Sequence, residues 1–198
     1  MKISYLILLF ALIQSAVFGQ GTERKKLYVE GRIISEVNNK PLENVITYLQ
    51  KERVFIATDS TGFFRIPVKA SGEHRLIVIE GGYSELDSLI VIKTESLTDL
   101  NIVLVADCPF NRSSAEKDIK KGNPKLLLVG SIAPVVYTGQ NYFERKYKVQ
   151  YYDFGCTPPA DACIEEYNQK VFEFLDKKYG DKWRKEVRKD VRFLSKTK

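Results

Sequence analysis

An α+β protein, with a seven-stranded β-sandwich followed by a small α/β domain of order αβαβαα, is the architecture predicted by this chain of 198 residues. Three observations predict it. Short β-branched and aromatic runs alternate with turn residues between Leu27 and Val105, and beyond Ser114 apolar residues begin to recur at helical spacing. The charge changes with the pattern: residues 20–110 carry 11 Lys and Arg against 13 Asp and Glu, whereas residues 111–198 carry 19 against 12.

The chain opens with Lys2, an apolar run from Ile3 to Ile13 and polar Gln14 and Ser15, the three-part layout of a secretory signal peptide. Its apolar run is shorter than the roughly 20 residues that span a bilayer, and Val17 and Gly19 offer a cleavage site. Residues Met1 to Gly19 are therefore expected to be removed on export, leaving a periplasmic or secreted protein. No cysteine near the cut suggests a lipid anchor, and no later stretch is apolar enough to span a membrane.

Seven strands are expected next: Leu27 to Ile34, Val45 to Gln50, Val54 to Ala57, Phe63 to Val68, Arg75 to Ile79, Leu89 to Ile92 and Leu100 to Val105. Asn38-Asn39-Lys40-Pro41, Asp59-Ser60-Thr61-Gly62 and Gly81-Gly82 separate several of them. Leu100, Ile102 and Leu104 alternate with Asn101 and Val103, as in a strand with one buried face; Leu76-Ile77-Val78-Ile79 is apolar throughout and is expected at the centre of a sheet. Pro41 presets φ for its turn, the Asp59 carboxylate can accept backbone hydrogens ahead of it, and Gly62 takes a conformation a side chain resists.

Several of these residues also form a family pattern. Val29-x-Gly31-x-Ile33, Lys40-Pro41-Leu42-Glu43-Asn44-Val45, Thr58-Asp59-Ser60-Thr61-Gly62-Phe63-Phe64, Gly72 and Gly82-Tyr83 resemble the carboxypeptidase regulatory-like domain across about residues 27–105. The resemblance implies a transthyretin-like (prealbumin-like) sandwich serving as a spacer or interaction module. Peptidase activity in the namesake enzymes lies in a separate zinc domain, whose ligands a chain with a single histidine, His74, cannot assemble.

After a linker at 106–113, Ser114 is expected to cap a helix running to Lys121 and stopped by Gly122. A strand from Lys125 to Val129, a loop with Pro134 and Gly139, a helix from Asn141 to Lys148 and a strand from Val149 to Phe154 follow. Ile164, Tyr167, Val171, Phe174 and Leu175 place an amphipathic helix from Ala162 to Tyr179, closed by Gly180. Asp181 then caps a last helix carrying Trp183, Val187, Val191 and Leu194, with Trp183 packed on the preceding helix. Phe143-Glu144-Arg145-Lys146-Tyr147, Tyr152-Asp153-x-Gly155-Cys156, Cys163-Ile164-Glu165-Glu166-Tyr167-Asn168, Phe174 to Gly180, and Trp183 with Arg188-Lys189-Asp190-Val191 resemble the bacterial FEKKY domain over about residues 114–194. That resemblance implies a bacterial source and a domain boundary, and brings no activity with it.

Three cysteines remain after export. Cys156 and Cys163 bracket Thr157-Pro158-Pro159-Ala160-Asp161-Ala162, and a disulfide between them would contribute roughly 2.5 kcal/mol by closing a short loop. A structural disulfide is expected there, with a redox-active pair as the alternative; Cys108 is left either buried and free or paired to another chain. His74 is expected at the surface or at a strand end, out of reach of a catalytic triad. Glu144, Lys146, Tyr151 and Asp153 are the candidate binding residues of the C-terminal half, and Glu165 and Glu166 complete its possible carboxylate pairs. Tyr147, Tyr151, Tyr152 and Tyr167 are read as core and core edge. No phosphate loop, dinucleotide fingerprint or metal-ligand spacing occurs, so neither cofactor nor metal is expected. The resulting expectation is an exported, non-enzymatic interaction or accessory protein of a bacterial envelope, whose partner is another envelope protein or an anionic envelope component rather than nucleic acid. The alternative is a small enzyme or thiol-redox protein with its site in the C-terminal domain.

Overall fold

The structure is a computed structural model, and it describes residues 26–130, 133 and 137–194. The expected signal peptide and Pro134 lie outside these residues. Seven strands build the N-terminal part: β1 (Leu27–Ser35), β2 (Ile46–Leu49), β3 (Val54–Ala57), β4 (Phe63–Val68), β5 (Gly72–Ile79), β6 (Leu86–Ile92) and β7 (Leu97–Leu104). They form two sheets, ordered β4-β1-β7 and β3-β2-β5-β6. The sandwich core is the alternating inward set of both sheets, including Val29, Ile33, Leu49, Phe64, Ile66, Leu76, Val78 and Leu104. The expected central run lies on β5, which pairs with β2 on one side and β6 on the other.

Gly31 is required by close approach. At the irregularity where β1 meets β7, a Cβ on Gly31 would overlap the carbonyl oxygen and Cβ of Leu100. Asp59 acts as expected: Oδ1 accepts from the backbone N–H of Thr61 (2.8 Å) and of Phe63 (3.0 Å) and from the Thr61 hydroxyl, and these bonds hold its carboxyl below the usual carboxylate range. Gly62 follows at φ 73°.

The structure corrects the expected surface position of His74. β5 begins at Gly72 rather than Arg75, and strand alternation puts His74 on the same inward face as Leu76 and Val78, where it is buried. Its Nε2 stands 2.9 Å from the Ala70 carbonyl oxygen, and Nδ1 faces buried Glu52 at 3.8 Å.

The C-terminal part comprises α1 (Arg112–Lys120), β8 (Lys125–Leu128), α2 (Gln140–Tyr147), β9 (Gln150–Asp153), α3 (Asp161–Tyr179) and α4 (Lys182–Glu186), in the expected αβαβαα order. A second apolar cluster forms here, built on Leu126 to Leu128, Ile164, Tyr167, Val171, Phe172, Leu175 and Trp183. Trp183 packs on α3 as expected, stacked on Phe172 with ring centroids 5.5 Å apart and donating its indole N–H to Asp176 (2.9 Å).

Three helix ends differ from expectation. Asn111, not Ser114, caps α1: its side chain accepts from the Ser114 N–H (2.9 Å) while Ser114 Oγ accepts from the Asn111 N–H (2.8 Å), a reciprocal capping box. The last helix stops at Glu186, because Val187 turns to extended backbone at φ −69°, ψ 149°. Beyond it the Arg188 N–H donates to the Tyr151 hydroxyl (3.2 Å) and Val191 bridges to Leu128 of β8. The helical spacing of Val187, Val191 and Leu194 therefore serves an arm along the sheet edge. Asp181 makes no side-chain capping bond.

Asp118 of α1 joins this region electrostatically. Burial opposes its ionisation, but hydrogen bonds from Lys125 Nζ (2.7 Å) and the Tyr167 hydroxyl (2.7 Å) outweigh it and hold the carboxyl below its usual range. A carboxyl depressed in the folded state contributes stability above the unfolded value of about 4 and loses it as pH falls further. Thermal melts from pH 7 to pH 3 are expected to fall less steeply in Asp118→Asn than in the parent chain.

Candidate functional site

The β-sandwich and the helical part meet along a seam that begins with a turn. Gly82, at φ 79°, carries no side chain because a Cβ there would overlap the backbone of Pro159 and Ala160. Beside it the Tyr83 hydroxyl donates to Ser35 Oγ (3.0 Å), Tyr83 bridges to Ala106, and Lys40 Nζ pairs with Glu165 of α3 (2.7 Å). A cleft of about 600 Å³ follows the seam, with Lys40, Glu80, Tyr83, Cys156, Asp161 and Glu165 among its lining residues. Burial first, and then the charge of Asp161, pushes the Glu80 carboxyl above its usual range. Arg192 neutralises Asp161 from the other side.

The disulfide in this region overturns the expected Cys156–Cys163 pairing. Cys163 bonds Cys108, with their Cα atoms 5.4 Å apart, while Cys156 is free and exposed on the cleft. Cys163 lies in the first turn of α3 and faces inward, fully buried, against the chain leaving β7, whereas Cys156 is exposed and lines the cleft together with Thr157, Pro158 and Pro159. Without reductant, iodoacetamide on the native protein is expected to label Cys156 alone, and peptide mapping to show Cys108 and Cys163 labelled only after reduction. A disulfide fits a protein of an oxidising compartment.

A second cleft, of about 630 Å³, lies between the start of α2 and the arm after α4. Tyr151 and Phe143 are stacked within its lining, 5.3 Å between ring centroids, and Tyr137 and Tyr142 are exposed members of the same lining. Arg188 donates from Nη1 to Gln140 Oε1 (3.0 Å) and pairs through Nε and Nη2 with Asp190.

Of the expected binding residues, Glu144, Lys146 and Tyr151 gather around α2, and Asp153 does not join them. Glu144 accepts the Tyr151 N–H (2.9 Å), and Lys146 pairs with Glu186 (2.7 Å). Tyr151 lines the second cleft with its hydroxyl pushed up to about 12, chiefly by burial. Asp153 ends β9 at the opposite end, where its carboxylate accepts the Gly155 N–H (2.8 Å) and packs against Gly130. Tyr147 and Tyr167 are core, Tyr151 is half-buried, and Tyr152 is exposed rather than core edge. None of Glu80, Tyr83 and Asp161 in the first cleft, or Gln140 and Arg188 in the second, was a site candidate from the sequence; long-range contacts bring Asp161 to Glu80 and Tyr83, and Arg188 to Gln140. Gly81-Gly82 was the one local signal. Among the described residues, no group of three His, Cys, Asp or Glu side chains is placed to hold a metal ion, and no helix is long and apolar enough to cross a membrane.

The outer face of the β3-β2-β5-β6 sheet is also unusual. Ile46 lies between Ala57 and Ile79, and Tyr48 lies between Phe55 and Ile77, its ring stacked on Phe55 at 4.1 Å. Leu89 and Val91 of β6 extend the same surface, with Phe55 63%, Leu89 71% and Val91 56% exposed. Arg75 and Asp87 pair across it.

No protein-family model and no curated protein matches the chain. Among solved structures, hydroxyquinol 1,2-dioxygenase from Pseudomonas putida is similar at 11% identity and TM-score 0.35, over 41% of this chain and 57% of that one. The 5-hydroxyisourate hydrolase of Klebsiella pneumoniae is similar at 15% identity and TM-score 0.34, over 41% of this chain and 91% of that one. A group B streptococcus pilus 2b backbone protein is similar at 11% identity and TM-score 0.33, over 40% of each chain. This chain thus spans little more than half of the first of these. At TM-scores below 0.5 such likenesses carry no functional meaning, and the α+β assignment rests on the strands and helices themselves.

Proposed function

We propose that the chain is an exported, non-catalytic accessory protein of a bacterial envelope that binds another envelope protein through the outer face of the β3-β2-β5-β6 sheet. On this reading residues 1–19 are the signal peptide, residues 27–105 a carboxypeptidase regulatory-like domain, residues 106–113 a linker, and residues 114–198 a FEKKY-like domain.

The observation that carries the reading is the apolar outer face, where five large side chains from four adjoining strands stand open. Soluble proteins seldom leave so many large apolar side chains of one sheet face uncovered, interrupted here by the Arg75–Asp87 pair. The half of the chain that bears it has an excess of acidic residues, 13 against 11 basic, so an anionic lipid surface would be repelled while an apolar protein face would be accepted. The flatness of a sheet suits a protein surface better than a small ligand.

The test is capture from solubilised envelope by the mature chain, compared with Phe55→Ser/Leu89→Ser. Both positions are exposed, so the melting temperature should hold. The reading expects one protein retained stoichiometrically by the parent and at least tenfold less by the variant. Equal capture by both, no capture by either, or parent binding to phosphatidylglycerol vesicles instead would overturn it.

A further inference from the structure

We infer that the cleft between α2 and the arm after α4 binds an uncharged saccharide, a site separate from the sheet face. Its volume of about 630 Å³ falls within the range of small-molecule pockets.

Tyr147 and Tyr167, which stabilise the same part of the fold, are buried; Tyr137 and Tyr142 are 44% and 59% exposed, yet both line the cleft. Tyr151, half-buried and stacked on core Phe143, adds a third tyrosine ring to the lining. Exposed tyrosine rings bordering a pocket favour a ligand with an apolar face of its own, and Tyr142 is the most open of them, since Arg188 lies over Tyr137.

The polar lining narrows the ligand further. Gln140, Glu186 and Arg188 contribute three planar groups, each held in place by neighbours. Arg188 stands 4.2 Å from the Tyr137 centroid and 5.3 Å from that of Tyr151, and its bonds to Asp190 and Gln140 keep it oriented. Glu186 accepts from Lys146 (2.7 and 2.8 Å) and from the Tyr147 hydroxyl (2.9 Å). Arg188 and Lys146 are thus each matched by a carboxylate, and the guanidinium fork is already shared between Asp190 and Gln140. A carboxylate or phosphate ligand would have to displace Asp190 to gain the bidentate contact that arginine gives anions. Lys189 stands exposed at the rim, where solvent screens it. A purely apolar ligand would strip water from Gln140, Glu186 and Arg188 and return no hydrogen bonds.

A sugar ring answers both requirements. Its hydroxyls donate and accept at once, matching a carboxylate, an amide and a guanidinium set side by side, and its C–H face packs on tyrosine. A neutral glycan unit is the class that uses every feature of this lining.

The test is calorimetric titration of the mature chain with triacetylchitotriose, maltotriose, trigalacturonate and inorganic phosphate, with amide-shift mapping by NMR. Saturable binding of at least one neutral trisaccharide at millimolar concentration is expected, with shifts confined to residues 137–143, 151 and 186–189. Tyr142→Ala and Gln140→Ala, both away from the core, should each weaken it about fivefold or more with melting temperature unchanged. No neutral trisaccharide binding, binding indifferent to both variants, or a preference for trigalacturonate or phosphate would overturn the inference. Each outcome is independent of protein capture through the sheet face, which Phe55→Ser/Leu89→Ser reports separately.

Discussion

Replacing Cys108 and Cys163 together by alanine is expected to lower the unfolding free energy by about 4 kcal/mol on the chain-entropy estimate. The magnitude follows from the 55-residue separation of the pair, which lets the bond remove far more freedom from the unfolded chain than the short loop anticipated between Cys156 and Cys163 would. The bond also joins the segment leaving the sandwich to the first turn of α3, beside the seam made by Gly82, Tyr83 and Lys40–Glu165. Urea melts of the oxidised parent and the double variant measure the difference. Reductant should bring the parent close to the variant and leave the variant unmoved, whereas Cys156→Ala should behave as the parent does. A double variant within about 1 kcal/mol of the oxidised parent would show that the cross-link adds little to this fold.

Asn168→Leu is expected to cost about 3–5 kcal/mol despite matching the parent side chain in size. Asn168 is fully buried on α3, where its Oδ1 accepts the Leu127 N–H (2.9 Å) and its Nδ2 donates to the carbonyls of Leu127 (3.0 Å) and Arg192 (3.0 Å). β8 pairs with β9 along one edge, and along the other, where the arm makes the Leu128–Val191 bridge and a long Arg192-to-Leu127 bond (3.4 Å), this amide supplies the closer partners of Leu127. Leucine would fill the space and leave the buried Leu127 N–H and the part-buried Arg192 carbonyl without the amide, with the Leu127 carbonyl keeping only the long bond from the Arg192 N–H (3.4 Å), which is the costly half of the hydrogen-bond balance. Asn168→Asp keeps the acceptor but loses both donor bonds and buries a charge, and should be no better at neutral pH. Urea unfolding gives the loss in stability, and hydrogen exchange at the Leu127 amide locates it. A variant within 1 kcal/mol of the parent would mean that water replaces the amide at little cost.

The strands were legible because a half-buried strand repeats every two residues, and Leu100 to Leu104 or Phe64, Ile66 and Val68 display that period without help from distant residues. Even so, β5, β6 and β7 each begin three residues earlier than their apolar runs, at Gly72, Leu86 and Leu97. Backbone pairing recruits polar residues that composition passes over, and that early start carries His74 into the core. The long helix α3 was legible from its apolar stripe; the end of α4 was not. Val187 and Val191 satisfy helical spacing equally well in an arm, and the edge of β8 that Val191 joins, at Leu128, lies some sixty residues away in the chain.

The sites divide in the same way. Glu144, Lys146 and Tyr151 lie near one another because they belong to one helix and the strand after it, while Asp153 belongs to the far end of β9; of the four only Tyr151 lines the second cleft. Gln140 and Arg188 share a cleft though they lie 48 residues apart, a pairing that no local pattern encodes.

By itself, then, the sequence determined the α+β class, the order of the elements, the turn at Asp59 to Gly62 and the charge contrast between the two halves. All of these depend on near neighbours and on periods of two or 3.6 residues. Tertiary structure alone decided which cysteine Cys163 meets, where the last helix ends, the burial of His74 and the two clefts. Each of those is a competition between partners far apart in the chain, and it is settled by which surfaces become adjacent once the sandwich and the helices have packed.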